Sequence, residues 1–375
     1  MNMKKILLFI VFVLWFSLSS YAANIDEYYK EQLEASGAKE LSDYLDDETE
    51  EYLEKLGCGD VEFEKLFDVS GGAILNLLTD IIRKGIKLPL RGFLTASGTV
   101  ILVSICSSFF PDDEKSKIIL NIIGGCITVT GVFVPATDAI KAAVSAVDAC
   151  CTFEKALIPV LAGVITASGN PALSLTYKGV AFAAAEFISA FGNDFALPLV
   201  GITGALGITG AMMPTLRLTA ISDMIRKTLT TLLASAASLF TGFLAFKGIL
   251  SSSANSLVNK GVKLAANTFV PVIGGAIGEV YSSVVGSLGL LKNTVAFYAV
   301  TALFLICIPV ILNLAVWVIS VRAAGILGEL FDCRVCCEIL KNISFMFSMI
   351  NTLLLLCMLV FGVSTGLIAV IKSGG

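Results

Sequence analysis

Histidine is absent from all 375 residues. That removes the commonest general base, the usual zinc ligand and any Ser-His or Cys-His pair. Charge is scarce as well, at 15% of residues against 56% apolar ones, with a mean hydropathy of +0.87. A soluble domain of this length would carry far more Lys, Arg, Asp and Glu. The dipeptide Gly-Lys does not occur, so no P-loop is present and the chain carries no nucleotide-driven motor of that kind. No basic, aromatic-interleaved surface for nucleic acid can be assembled. With no motif for a cofactor or a metal, neither is expected, and catalysis is not the expected role.

The charge that exists is unevenly spread. Between Asn24 and Asp68 there are 16 acidic residues and four lysines, a balance of -12, whereas from Val69 onward 20 basic residues face 14 acidic ones. Ahead of this acidic region, Lys4-Lys5, the apolar run Ile6 to Leu18 and Ser19-Ser20-Tyr21-Ala22-Ala23 have the three-part layout of an export signal over residues 1–22. Cleavage is expected near Ala22 or Ala23, the alternative being an uncleaved first anchor. Residues 24–68 are then extracytoplasmic. Two helical stripes run through them: Ile25, Tyr28, Tyr29 and Leu33 up to Gly37, and Leu41, Tyr44, Leu45, Tyr52, Leu53 and Leu56 up to Gly57. Their apolar area is too small for a core of their own.

Residues 70–91 form an amphipathic helix with Arg83, Lys84 and Lys87 on its polar face, suited either to a head-group layer or to packing on a bundle. Residues 92–371 constitute the polytopic part. Its apolar stretches run roughly Phe93 to Phe110, Ile118 to Thr137, Ala156 to Leu175, Gly179 to Met213 with a break near Gly192-Asn193-Asp194, Leu229 to Phe246, Phe269 to Leu291, Thr294 to Val321 and Ile343 to Ile371. Each approaches the ~20 residues that cross a bilayer core. Backbone groups in lipid must be paired internally, so the predicted fold is an all-α membrane bundle of about six to nine spans. Leu216 to Leu233 and Leu257 to Thr268 read as interfacial connectors.

Three carboxylates, Glu186, Asp194 and Glu279, fall inside or at breaks of these stretches. They can line a passage or an ion-coupled site, or lie at turns and interfaces. Gly201, Gly204, Gly207 and Gly210 recur every third residue, and Gly274, Gly275 and Gly278 form a second cluster. Small residues let membrane helices approach closely, and a broken helix lining a cavity is the other reading. Cys333, Cys336 and Cys337 supply at most three thiolates and no histidine completes a site, so buried thiols in a connector are the expectation.

The segment Lys263-Leu-Ala-Ala-Asn-Thr-Phe-Val-Pro-Val-Ile-Gly-Gly275, continuing through Gly286 to Leu290-Leu-Lys-Asn-Thr-Val295, closely resembles the stage III sporulation protein AE family of endospore-forming bacteria. Ala156-Leu-Ile-Pro-Val-Leu-Ala162 with Ala167-Ser-Gly169 is similar to a second block of that family. The resemblance implies a component of the mother-cell membrane facing the forespore. Its implied partners are the other stage III A operon proteins, a separate ATPase among them, and the forespore stage II protein Q, in a channel or secretion-like complex. It implies no catalytic residues. A self-sufficient secondary transporter using Glu186 or Asp194 is the competing reading, weakened by the lack of a clear inverted repeat.

Overall fold

The computed structural model describes residues 28–59, 61, 70–109, 114–213, 218–238, 242 and 274–370, and no strand occurs among them. The export signal, the segment Leu257 to Thr268 and residues 239–241 and 243–246 of the stretch Leu229 to Phe246 lie outside the described residues.

Helix α1 (28–35) stops where Gly37 turns left-handed at φ 71°. A 3-10 turn, Ala38–Tyr44, leads to α2, Asp47–Lys55. The Asp46 carboxylate accepts from the Thr49 N–H at 3.2 Å, capping α2 at its start, and Gly57 (φ 76°) follows its end. Leu33, Leu41, Tyr52 and Leu53 are buried. This acidic unit packs on the long helices described below: the Ser287 hydroxyl donates to Gln32 Oε1 at 2.8 Å. Helix α3, Gly71–Gly85, capped by Ser70, buries Leu77 and Ile81. Its Lys84 ammonium lies 5.9 Å from the Tyr52 ring centroid.

The rest is helical: α4 (Lys87–Ser108), α5 (Glu114–Thr128), α6 (Val134–Ala167), α7 (Pro171–Ile188), α8 (Leu197–Met212), α9 (218–238), α10 (Gly274–Leu330) and α11 (Arg334–Val370). π-Helical stretches, Val129–Phe133 and Ser189–Ala196, join α5 to α6 and α7 to α8 without a turn. Among the described residues five helices are long and apolar enough to cross a membrane: Lys87–Ser108, Ile118–Ala167, Pro171–Met212, Gly286–Leu330 and Arg334–Gly366. The fold is the expected all-α membrane bundle.

Its breaks differ from those read in the sequence. The stretch Ala156 to Leu175 is not one span, because Ser168-Gly169-Asn170 turns inside it, with Gly169 at φ 82° and Pro171 opening the next helix. The dip in hydropathy between Thr137 and Ala156 is not a connector; α6 runs straight through it. Near Gly192-Asn193-Asp194 the chain inserts an extra residue into the helical ladder instead of turning. The described part of the stretch Phe269 to Leu291, from Gly274 on, and the stretch Thr294 to Val321 belong to one helix of 57 residues, about 86 Å at 1.5 Å per residue. In the last three cases charged or polar residues lowered hydropathy without ending the helix.

α10 and α11 form an antiparallel hairpin through Phe331, Asp332 (φ 53°) and Cys333. Trp317 and Phe347 pack at a centroid distance of 5.9 Å in its seam. α4 closes on the same tryptophan at Gly92, where a Cβ would stand 2.5 Å from Trp317 Cζ3.

Candidate functional site

Depth in the bilayer is set by the uncharged runs. Lys292 and Arg322 bracket 29 uncharged residues, and Lys341 and Lys372 bracket 30. At 1.5 Å per residue each run is about 45 Å, enough to contain a hydrocarbon core of roughly 30 Å. Cys307 and Cys357 sit at the two midpoints. Cys150 of α6 meets them there, its Sγ 3.3 Å from that of Cys307, with Cys357 against both. Cys150 therefore lies near mid-membrane.

The same stretch of α6 carries a polar stripe. Asp138, Lys141, Ser145, Asp148, Thr152 and Lys155 alternate spacings of three and four, the helical repeat, so they share one face. All six are outside the core, with Asp138, Lys141, Ser145, Asp148, Thr152 and Lys155 exposed on the bundle surface. Asp148 lies about 3 Å along the axis from Cys150 and Lys155 about 8 Å. α7 extends the face. Lys155 pairs with Glu186 at 2.8 Å, both about half exposed, and Asn193 Nδ2 donates to Asp148 Oδ1. Asp194 is exposed in the π-helical stretch that follows. Asn193 lies within that same π-helical stretch.

The glycines divide by contact. A Cβ on Gly204 would overlap the Met346 side chain, one on Gly207 the Asn342 carboxamide, and one on Gly210 would come 2.9 Å from the Thr219 nitrogen, while Gly201 faces open space. Gly204 and Gly207 thus hold α8 against α11, and Gly210 holds it against α9. Asn342 is itself engaged, accepting from Arg226 Nη2 at 2.6 Å and donating to the Glu338 carbonyl at 2.7 Å. The Arg226 guanidinium stacks 4.1 Å from the Phe345 ring centroid. Gly274, Gly275, Gly278 and Glu279 belong to the first turns of α10.

Cys333, Cys336 and Cys337 are buried at the α10–α11 turn and the start of α11. Among the described residues no group of His, Cys, Asp or Glu could hold a metal ion. A surface groove of about 350 Å³ lies along the hairpin between Arg322, Glu329, Lys341, Ser344, Phe345 and Ser348.

The sequence pattern points to Glu186 and Asp194, whereas Asp148, Glu154 and Lys155 fall in the gap between the apolar stretches that end at Thr137 and begin at Ala156. The three-four polar spacing was the available signal. Among the described residues Glu154 is the one inward-facing carboxylate: it is fully buried between α6, α7 and α11, with Ser364 Oγ 3.2 Å and Thr365 Oγ1 3.4 Å away.

No solved structure matches this chain. It is similar to stage III sporulation protein AE of Bacillus subtilis (strain 168), 26% identical over 195 residues, which cover 51% of this chain and 48% of that protein. The matched stretch thus spans about half the length of that relative. The model of the stage III sporulation protein AE family matches residues 48–372, which takes in every helix from α3 to α11 and the whole polar face; the chain belongs to that family.

Proposed function

We propose that this sporulation protein is a non-enzymatic, channel-forming or scaffolding subunit of a membrane complex, and that the α6–α7 polar face lines a water-filled conduit or the seam between subunits that encloses it. The observation that carries this reading is the position of Asp148, Lys155 and Glu186: on the outer surface of the bundle, yet level with the centre of the uncharged runs. Each charge presented to lipid at that depth costs about 2.5 to 3.5 kcal/mol on insertion scales, so lipid is not the medium that suits this face. Water or a polar partner is.

The pairing of Glu186 with Lys155 favours a wall over an ion-coupled transport site at Glu186, since its carboxylate already has a partner. The remaining assignments are part of the same proposal and follow from what the sequence resemblance implies: residence in the mother-cell membrane, assembly with the other stage III A operon proteins including their separate ATPase, and contact across the intermembrane space with stage II protein Q. The acidic N-terminal region, held on α10, is the natural contact for basic partners on the outer side. In a spore-forming host, Thr152→Cys in a background lacking Cys106 and Cys126 should react with a bulky, membrane-impermeant thiol reagent, and the adduct should block sporulation. Reaction without any effect on sporulation would count against a conduit wall.

A further inference from the structure

Glu154 and Lys155 are adjacent in the chain and opposite in environment. Lys155 faces the polar stripe; Glu154, about 100° around the helix, has no exposed surface at all. Its two oxygens meet only hydroxyls: Ser364 Oγ stands 3.2 Å from Oε1, and Thr365 Oγ1 stands 3.4 Å from both. Tyr177 of α7, itself buried, faces the same cluster.

Among the described residues no cation faces this carboxyl. α11 offers Ser364 and Thr365, α7 offers Tyr177, and α6 itself offers Cys151, about one turn before Glu154 and next in the chain to Cys150. α10 has no charged residue between Lys292 and Arg322. The 3-10 turn Ala38–Tyr44, which also packs on α6, keeps Lys39, Glu40 and Asp43 exposed. Lys155 is committed to Glu186 on the far side of its helix.

Hydrogen-bond inventory then separates the two protonation states. Ser364 has one hydrogen, and the Phe361 carbonyl at 2.9 Å is a closer acceptor for it than Glu154. With that hydrogen so placed, Ser364 Oγ is free to accept one, and a neutral Glu154 carboxyl can donate to it while Thr365 donates to the other oxygen. An ionised Glu154 would instead have only two hydroxyl donors, one of which must leave the Phe361 carbonyl, and no counter-charge. A buried charge so poorly served costs several kcal/mol. Hydroxyl rotors can nonetheless serve either state, since each can turn its hydrogen toward the carboxyl or away from it.

We infer that Glu154, with Ser364 and Thr365, is an exchangeable proton-binding site inside the membrane bundle, distinct from the surface carboxylates of the polar face. This inference does not depend on whether that face lines a conduit. Infrared spectra of the purified full-length protein in lipid test it. The wild type should show a protonated-carboxylic-acid C=O band that shifts in D2O and disappears as pH is raised. Glu154→Gln should remove that band, and Glu186→Gln should leave it.

Because glutamine mimics the neutral acid, Glu154→Gln should insert and accumulate as wild type does but lose sporulation, since it cannot release a proton. Ser364→Ala/Thr365→Ala keeps the carboxyl and should move the band toward that of a free, unbonded acid, which provides a second reading should the glutamine variant fail to accumulate. A band that survives Glu154→Gln, a band unmoved in the double hydroxyl variant, or full sporulation with Glu154→Gln would overturn the site.

Discussion

Replacing Gly207 with alanine places one methyl group where the Asn342 carboxamide oxygen now stands. Two costs follow. Overpacking a well-filled contact costs about 1 to 3 kcal/mol. Moving Asn342 also breaks its 2.6 Å bond from Arg226, and a hydrogen bond to a charged group contributes about 1.5 to 3 kcal/mol. Alanine returns about 1 kcal/mol through its better helix propensity. The net loss is roughly 1.5 to 5 kcal/mol. Gly201→Ala is the matched control: it lies on the same helix, its Cβ meets nothing within 4 Å, and it should be neutral or slightly stabilising. Thermal unfolding of both purified variants in one detergent gives the comparison, with Gly207→Leu expected to unfold earliest and to fail in assembly. If Gly207→Ala melts with Gly201→Ala, the α8–α11 contact does not have the tightness assigned to it.

The Lys155–Glu186 pair separates a wet face from a dry one. A hydrated pair contributes about 0 to 1 kcal/mol, so Lys155→Ala and Glu186→Ala should each cost less than about 1 kcal/mol; losses of about 3 to 5 kcal/mol, rescued in the double variant, would mark a pair sealed from water instead. In the acidic region, hydrogen bonding to the Lys55 ammonium, helped by its charge and by that of Lys84, holds the Glu51 carboxyl below the usual glutamate range. Its contribution to α2 is therefore present above the free value of about 4.3 and is lost as pH falls through the lower folded value. NMR titration should show Glu51 moving back toward the free value in Lys55→Gln; an unchanged titration would contradict the pairing.

Helical class and membrane residence were legible because long uncharged runs admit no other backbone. The ends at Gly37 and Gly57 were legible too, since both adopt the left-handed φ that glycine tolerates. Hydropathy misled where polar residues sit on one side of a continuous helix: Lys141 and Asp148 lower a window average but leave α6 unbroken. Glu154 and Lys155 show the limit most clearly. Side by side in the chain, they look like one charged pair, and only the packing of α7 and α11 turns one inward and the other out. The tight glycines were visible as a repeat, but the openness at Gly201 depends on which neighbour reaches it.

Spin labels at Thr152→Cys and Leu355→Cys, both on the surface and near the level of Cys150 and Cys357, test the central claim most directly. With the protein in lipid, depth and collision with polar and apolar relaxing agents are measured together. Both labels should report mid-membrane depth, with Thr152→Cys colliding preferentially with the water-soluble agent and Leu355→Cys with oxygen. Equal, oxygen-dominated collision at both positions would contradict it.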